Sequence, residues 1–282
     1  MNYQDKIKTH LIAYKENRFV GIPHGLWRNN PDNILKYAFV SKYDNNNLIE
    51  TFQKEYLEYE KAIDTKIRRH MYFHHMNSSQ AMCINFFYPL YKENCLELIT
   101  DFLGFKNEKV KCKSVRFEET SKIDSIKGYR PTNFDFYFET ETGKKFFFEI
   151  KNTEYEFGKA SGNIDHNNKY ENVYSTGTIF NPIQYEYKEK SMFFKNYQII
   201  RNLIHVAEDS YVVFIYPKDN TKIKKQAFQA KIKILQEPFS EHLLNIEWED
   251  LYKEVNAKVK LSSLKNQMEE FGKKYFINQL LK

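Results

Sequence analysis

Cysteine is scarce in this chain of 282 residues. Cys83, Cys95 and Cys112 are an odd, scattered set without metal-ligand spacing. That excludes a disulfide framework and a cysteine-based zinc site, and points to free buried thiols in a reducing compartment. No run of apolar residues reaches the ~18 a membrane span needs, so no membrane partner is expected. The opening MNYQDKIKTH has no apolar stretch of the secretory kind, and the resulting expectation is a cytoplasmic protein. There is no internal repeat and no low-complexity tract. No linker-like stretch breaks the chain, which therefore reads as a single domain over 1–282.

What is abundant is aromatic: 24 Phe and 21 Tyr. They supply a large core, and base stacking is a second use for some of them. The net charge of +6 permits a nucleic-acid partner without demanding one.

The chemistry concentrates between Asn133 and Gly158, NFDFYFETETGKKFFFEIKNTEYEFG. Two apolar-aromatic runs, Phe134–Phe138 and Phe146–Ile150, flank the polar turn Glu139–Lys145 with its Gly143, as in a β-hairpin. Strand side chains alternate between faces. Asp135 and Tyr137 then share one face, opposite Phe134, Phe136 and Phe138. Phe147, Glu149 and Lys151 share a face, opposite Phe146, Phe148 and Ile150. Three charged groups are costly in strands so apolar. A divalent metal would relieve that cost, because Asp135 and Glu149 are hard oxygen ligands of the kind Mg²⁺ takes one or two at a time. Lys151 would then orient a water or neutralise charge developing at a scissile phosphate. The plain alternative is an edge hairpin with a Glu149–Lys151 surface pair.

Asp135, followed one hairpin later by Glu149-Ile150-Lys151, resembles the PD-(D/E)XK nuclease superfamily, the fold of many restriction endonucleases. Phe134 stands where that motif usually has proline, a common departure. The continuation Lys151-Asn152-Thr153-Glu154-Tyr155-Glu156-Phe157-Gly158 and the upstream Ser78-Ser79-Gln80-Ala81 are similar to a restriction-endonuclease-like branch of it. The resemblance implies an α/β fold, a mixed central sheet flanked by helices. Its core order of helix, three strands, helix, strand would span 78–217, with elaborations at 1–77 and 218–282. It implies a hydrolase cutting phosphodiester bonds, on double-stranded DNA, with Mg²⁺ as cofactor and Mn²⁺ able to substitute. It places Asp135, Glu149 and Ile150 at the metal and Lys151 beside them. Glu118 or Glu119 would add a third carboxylate, with a solvated strand end as the other reading. Glu154 would lie close by, just past the strand. Gln80 is the candidate polar group from the preceding helix, with Glu93 second, and helix capping competes for Gln80. Gln198 resembles the polar residue that such nucleases carry on the helix after the motif.

Around this core the pattern predicts helices at Tyr3–Tyr14 and 48–70, then one at Ala81–Leu103 kinked or split at Pro89 and ended by Gly104. Asn77 and Gln80 form a capping-box pattern before it. A strand is expected at Val110–Glu119, a loop at 120–132, a loop at Gly158–Thr178, a helix at Lys190–Ala207 and a buried strand at Tyr211–Tyr216. Phe228–Leu235 reads as an edge strand guarded by Lys231 and Lys233. A short helix near Trp248 and a last amphipathic helix follow.

Several further groups carry two readings. Arg18, His24 and Arg28 would touch a phosphate backbone or belong to a segment wrapping the core with Trp27 buried. Lys66, Arg68, Arg69 and His70 would face DNA or complement a helix dipole. Lys159, His166 and Lys169 would sit on a DNA-contacting or lid loop, or on plain surface. His74-His75 lacks the partners of a zinc site. Arg201 and His205 line a polar helix face, with His205 a weak general-base candidate. Beside the DNA nuclease stand two alternatives: a silent nucleic-acid- or protein-binding module of the same fold, and an RNA-directed nuclease. A restriction enzyme cutting a palindrome would be a homodimer.

Overall fold

The structure, a computed structural model, describes residues 2–27, 30–63, 67–175 and 178–277. Arg28 and Lys66 lie outside them. By its contacts the chain divides into two compact units, 1–107 with 248–282, and 108–247.

The first unit holds α1 (Tyr3–Arg18), β1 (His24–Leu26), β2 (Ile34–Phe39), α2 (Glu50–Ala62), α3 (Ser79–Lys92) and α4 (Glu97–Phe102). The segment after α1 is thus a small antiparallel hairpin where only wrapping chain is expected. Helix α3 is buried nearly all round, as its composition requires. Ser78, not Asn77, caps it, accepting from the Ala81 amide at 3.3 Å. The split falls at Asn94, which adopts a left-handed φ of 52°, rather than at Pro89. Helix α2 ends at Ala62, before the basic cluster. Arg69 therefore serves no helix dipole; it is locked by Glu60 at 2.6 Å and Asp44 at 2.9 Å.

The second unit contains the sheet. Its elements are β3 (Arg116–Thr120), β4 (Asn133–Glu139), β5 (Lys145–Ile150), α5 (Ile164–Lys169), α6 (Tyr185–Lys188), α7 (Lys190–Lys195), α8 (Tyr197–Leu203), β6 (Ser210–Tyr216), α9 (Thr221–Gln229) and β7 (Leu243–Glu247). The last two helices, α10 (Trp248–Lys258) and α11 (Ser262–Tyr275), belong to the first unit. Strands run in the order β3-β4-β5-β6-β7. The first three are antiparallel neighbours, and β5-β6 and β6-β7 are parallel. This is the mixed sheet with helices expected from the sequence. β6 is buried along nearly its whole length because it has a parallel neighbour on each side. Gly143, at φ +93°, lets the β4–β5 turn close.

Three elements differ from expectation. The span 228–234 is helical, with Leu235 extended after it: Ile223, Ala227, Ala230 and Ile234 are all buried at steps of four, three and four, a helical stripe that the local Lys-Ile alternation hides. The edge strand is β7 instead. The helix over 190–207 breaks at Asn196, whose side chain folds back on the Met192 carbonyl at 2.9 Å. The strand at 110–119 shortens to β3, because 112–114 turn as a 3₁₀ segment.

Candidate active site

The hairpin register builds the site. β4 and β5 pair Phe136 with Phe148 and Tyr137 with Phe147. One step further, the same register sets Asp135 across from Glu149. β3 and β4 pair Phe117 with Phe136 and Glu119 with Phe134, which sets Glu118 across from Asp135. Three carboxylates thus occupy one row across three strands. Alternation holds for Phe136, Phe138 and Phe148, whose rings meet one another, and for Tyr137 with Phe147. Phe134 departs from it: its ring lies against Phe147 and His205.

Glu149 and Lys151 are both buried and joined at 2.7 Å. Helix α8 completes the frame from one face. Gln198 donates to Glu149 Oε1 at 2.8 Å, and its own Oε1 accepts from Lys151 Nζ at 3.1 Å and from the Gly158 amide at 2.9 Å. Asn202, one turn on, donates to Glu149 Oε2 at 3.0 Å. A buried carboxylate and ammonium with this many hydrogen bonds are fixed in place. Asp135 accepts from the Ile150 amide at 2.6 Å.

The electrostatics are those of crowded negative charge. Burial, then Glu149 and Glu118, push the Asp135 carboxyl well above its usual range, with Lys151 opposing. Burial pulls the Lys151 ammonium down, but Glu149, Glu154 and Asp135 outweigh it and hold it above its ordinary value. Glu118 keeps a left-handed φ of 59°, which costs of order 1–3 kcal/mol for a non-glycine residue. Asn133 donates to its carboxylate. Among the described residues no three His, Cys, Asp or Glu side chains close into a ready metal cluster. Mg²⁺ needs fewer, taking one or two carboxylates and completing its shell with water and phosphate. The surplus of carboxylates over the one ammonium fits a divalent cation. Ile150 is buried in the core, so only its carbonyl is available as a ligand.

The remaining candidates have partners of their own. Glu154 folds back onto the Asn152 amide at 2.6 Å while its charge acts on Lys151. Gln80, in the first unit, is buried, and its side-chain amide joins the His70 amide at 2.8 Å and the Arg68 carbonyl at 3.1 Å. Glu93 accepts from Ser263 at 3.2 Å. Arg18 pairs with Glu50 at 2.9 Å, and His24 meets Lys15 at 3.0 Å. Trp27 is not buried; it is 36% exposed and stacked on Tyr72. The 158–178 segment is not a plain loop, since it carries α5 and a π turn, and Lys169 is buried within it. The sequence pattern alone singles out neither Asn202 nor Asp124. Asn202 had one signal, a polar residue four after Gln198 on a buried helix.

His205 is structural. Burial drives its imidazole down to about 4, and it is wedged between Ser121 Oγ at 2.6 Å and the Arg201 and Asn202 carbonyls. The folded value lies below the ordinary 6.5, so its contribution is present above pH 6.5 and is lost as pH falls toward 4. Urea titrations of His205→Gln are expected to show a stability loss between pH 7 and pH 5 smaller than wild type's by roughly 2 kcal/mol. Equal losses would remove His205 from the acid response.

This sheet order, a mixed five-stranded sheet flanked by helices, with Asp135 on β4, Glu149 near the end of β5 and Lys151 just past it, braced by α8, is a restriction-endonuclease-like fold. The chain belongs to the family described as Restriction Endonuclease associating with ARP, which matches residues 8–276. No curated protein and no solved structure matches the chain.

Proposed function

We propose that the chain is a metal-dependent endonuclease that hydrolyses phosphodiester bonds in double-stranded DNA, in the manner of a restriction enzyme. The observation that carries this reading is the Glu149–Lys151 pair, held between Gln198 and Asn202 and set across from Asp135. Asp135, Glu149 and the Ile150 carbonyl are the groups that would hold Mg²⁺. When bound, the ion would acidify a water and draw charge from the scissile phosphate.

The protein's own residues supply the rest. Lys151 keeps its proton because three carboxylates surround it, so it acts as a fixed cation and hydrogen-bond donor rather than as a base. Such a preorganised donor stabilises the negative charge of the transition state without reorganising. Gln198 sets Glu149 and Lys151 together, one amide serving both. The net charge of +6 suits a polyanionic substrate.

Glu118→Gln keeps an acceptor for Asn133 but removes one charge from the row. Its half-activating Mg²⁺ concentration is expected to rise several-fold while the saturated rate changes little. An unchanged Mg²⁺ requirement would place Glu118 outside the metal's influence.

Substrate class is tested by incubating the protein with plasmid DNA and, separately, with structured RNA, in Mg²⁺, Mn²⁺ or Ca²⁺. DNA should be cut in Mg²⁺ and Mn²⁺ but not in Ca²⁺, whose coordination is larger and looser. RNA cut in place of DNA would move the reading to a ribonuclease. Salt-sensitive binding with no cutting would move it to a silent binding module.

A further inference from the structure

Beside the candidate site lies a cluster of cations larger than its counter-charge. The loop between β3 and β4 leaves and rejoins the sheet at the end where Asp135 sits. Within it Asp124 is fully buried. Its carboxylate accepts from the Thr132 amide at 2.9 and 3.0 Å, from Thr132 Oγ1 at 2.7 Å and from Tyr174 OH at 2.6 Å. Those neutral donors take the near positions. The two buried or nearly buried cations are left further out, Arg201 at 3.5 Å and Lys169 at 3.9 Å.

A third cation, Arg130, stands exposed on the same loop. Its guanidinium has no hydrogen-bond or ion-pair partner among the described residues. Its carbonyl accepts from both Lys169 and Arg201. The Tyr197 ring lies under Arg201 at 4.9 Å and under Lys169 at 6.0 Å, fixing their directions. Burial, with repulsion from Arg201 and Arg130, brings the Lys169 ammonium down to about 8. Three cations around one saturated carboxylate are an arrangement that an added anion would relieve.

The position says which anion. Arg201 is next in the chain to Asn202, which holds Glu149. Thr132, which Asp124 clamps, leads into β4 three residues before Asp135. We propose that Arg130, Arg201 and Lys169 form a second phosphate subsite, taking a backbone phosphodiester of the substrate neighbouring the one that is cut. This rests on the nuclease reading above. Arg130 is the open arm, with a fork suited to phosphate oxygens. Arg201 and Lys169 supply charge from behind it.

The test is the affinity of a short DNA duplex for the full-length protein in chelator, so that nothing is cut, across a series of salt concentrations. The proteins are wild type, Arg130→Ala and, as a control, Lys233→Ala, which removes an exposed cation elsewhere in the same unit. Arg130→Ala is expected to bind about tenfold more weakly, with a slope of log affinity on log salt shallower by about one. Lys233→Ala is expected to match wild type. Wild-type affinity and slope in Arg130→Ala, or an equal fall in Lys233→Ala, would overturn the subsite while leaving the nuclease reading in place. A wild type that neither binds nor cuts DNA would remove both. Melting temperatures of the three proteins should agree, because neither substituted side chain is buried.

Discussion

Lys151→Ala is expected to cut DNA about a hundred- to a thousand-fold more slowly than wild type, the size of effect seen when a preorganised donor to transition-state charge is removed. The reason is positional. Lys151 Nζ is 2.7 Å from Glu149 and 3.1 Å from Gln198, so its charge is aimed and buried before any substrate arrives. Water cannot replace it with the same direction. Stability gives a second readout. Without Lys151, Glu149 and Asp135 lose their nearby cation, and in chelator the variant should be less stable than wild type. Added Mg²⁺ should restore much of that stability and little of the activity. A variant as active as wild type would remove Lys151 from the site.

The second large effect is in folding. Asp124→Ala should lose about 3–5 kcal/mol, as when one member of a buried charged network is deleted. The deletion leaves Arg201 and Lys169 facing each other without a counter-charge and strips the Thr132 amide of its acceptor. Asp124→Asn should lose less, because an acceptor oxygen remains. Burial would raise the Asp124 carboxyl, but the hydrogen bonds from Tyr174, Thr132 and Ser121 win and hold it at about 2. Its folded value is below the ordinary carboxylate range, so this contribution is complete above pH 4 and fades as pH falls toward 2. Urea midpoints of wild type and Asp124→Asn should therefore converge in strong acid. A constant gap down to pH 2 would contradict the assignment.

What the sequence disclosed about the site was local. The hairpin reads directly, because two apolar-aromatic runs, Phe134–Phe138 and Phe146–Ile150, flank a polar turn with a glycine, and strand geometry sorts their side chains, Asp135 and Glu149 included, into faces. Gln198 is visible because it stands with Arg201 and His205 on the polar face of an amphipathic helix, at the place where the resemblance puts a polar residue. The remainder depends on partners far away in the chain. Asp124 looks like any loop aspartate until Tyr174 and Arg201 are packed upon it. Glu118 reads from the sequence as a candidate third carboxylate at a strand end, but its left-handed backbone conformation opposite Asp135 does not show there. The span 228–235 shows the opposite failure: lysine and isoleucine alternate over a few residues, but burial from Ile223 onward obeys the longer helical period. The helix at 190–207 had the right face and the wrong continuity, because an asparagine side chain that closes on its own turn is hard to distinguish from one exposed to solvent.

The central claim is that Asp135 and Glu149 form a metal-dependent phosphodiesterase centre. The most direct measurement is the rate at which supercoiled plasmid is cut by wild type and by Asp135→Asn in Mg²⁺, with wild type repeated in excess chelator. The account predicts cutting by wild type in Mg²⁺ alone, with chelator and the substitution each abolishing it. Cutting that persists in chelator, or that survives Asp135→Asn, would contradict it.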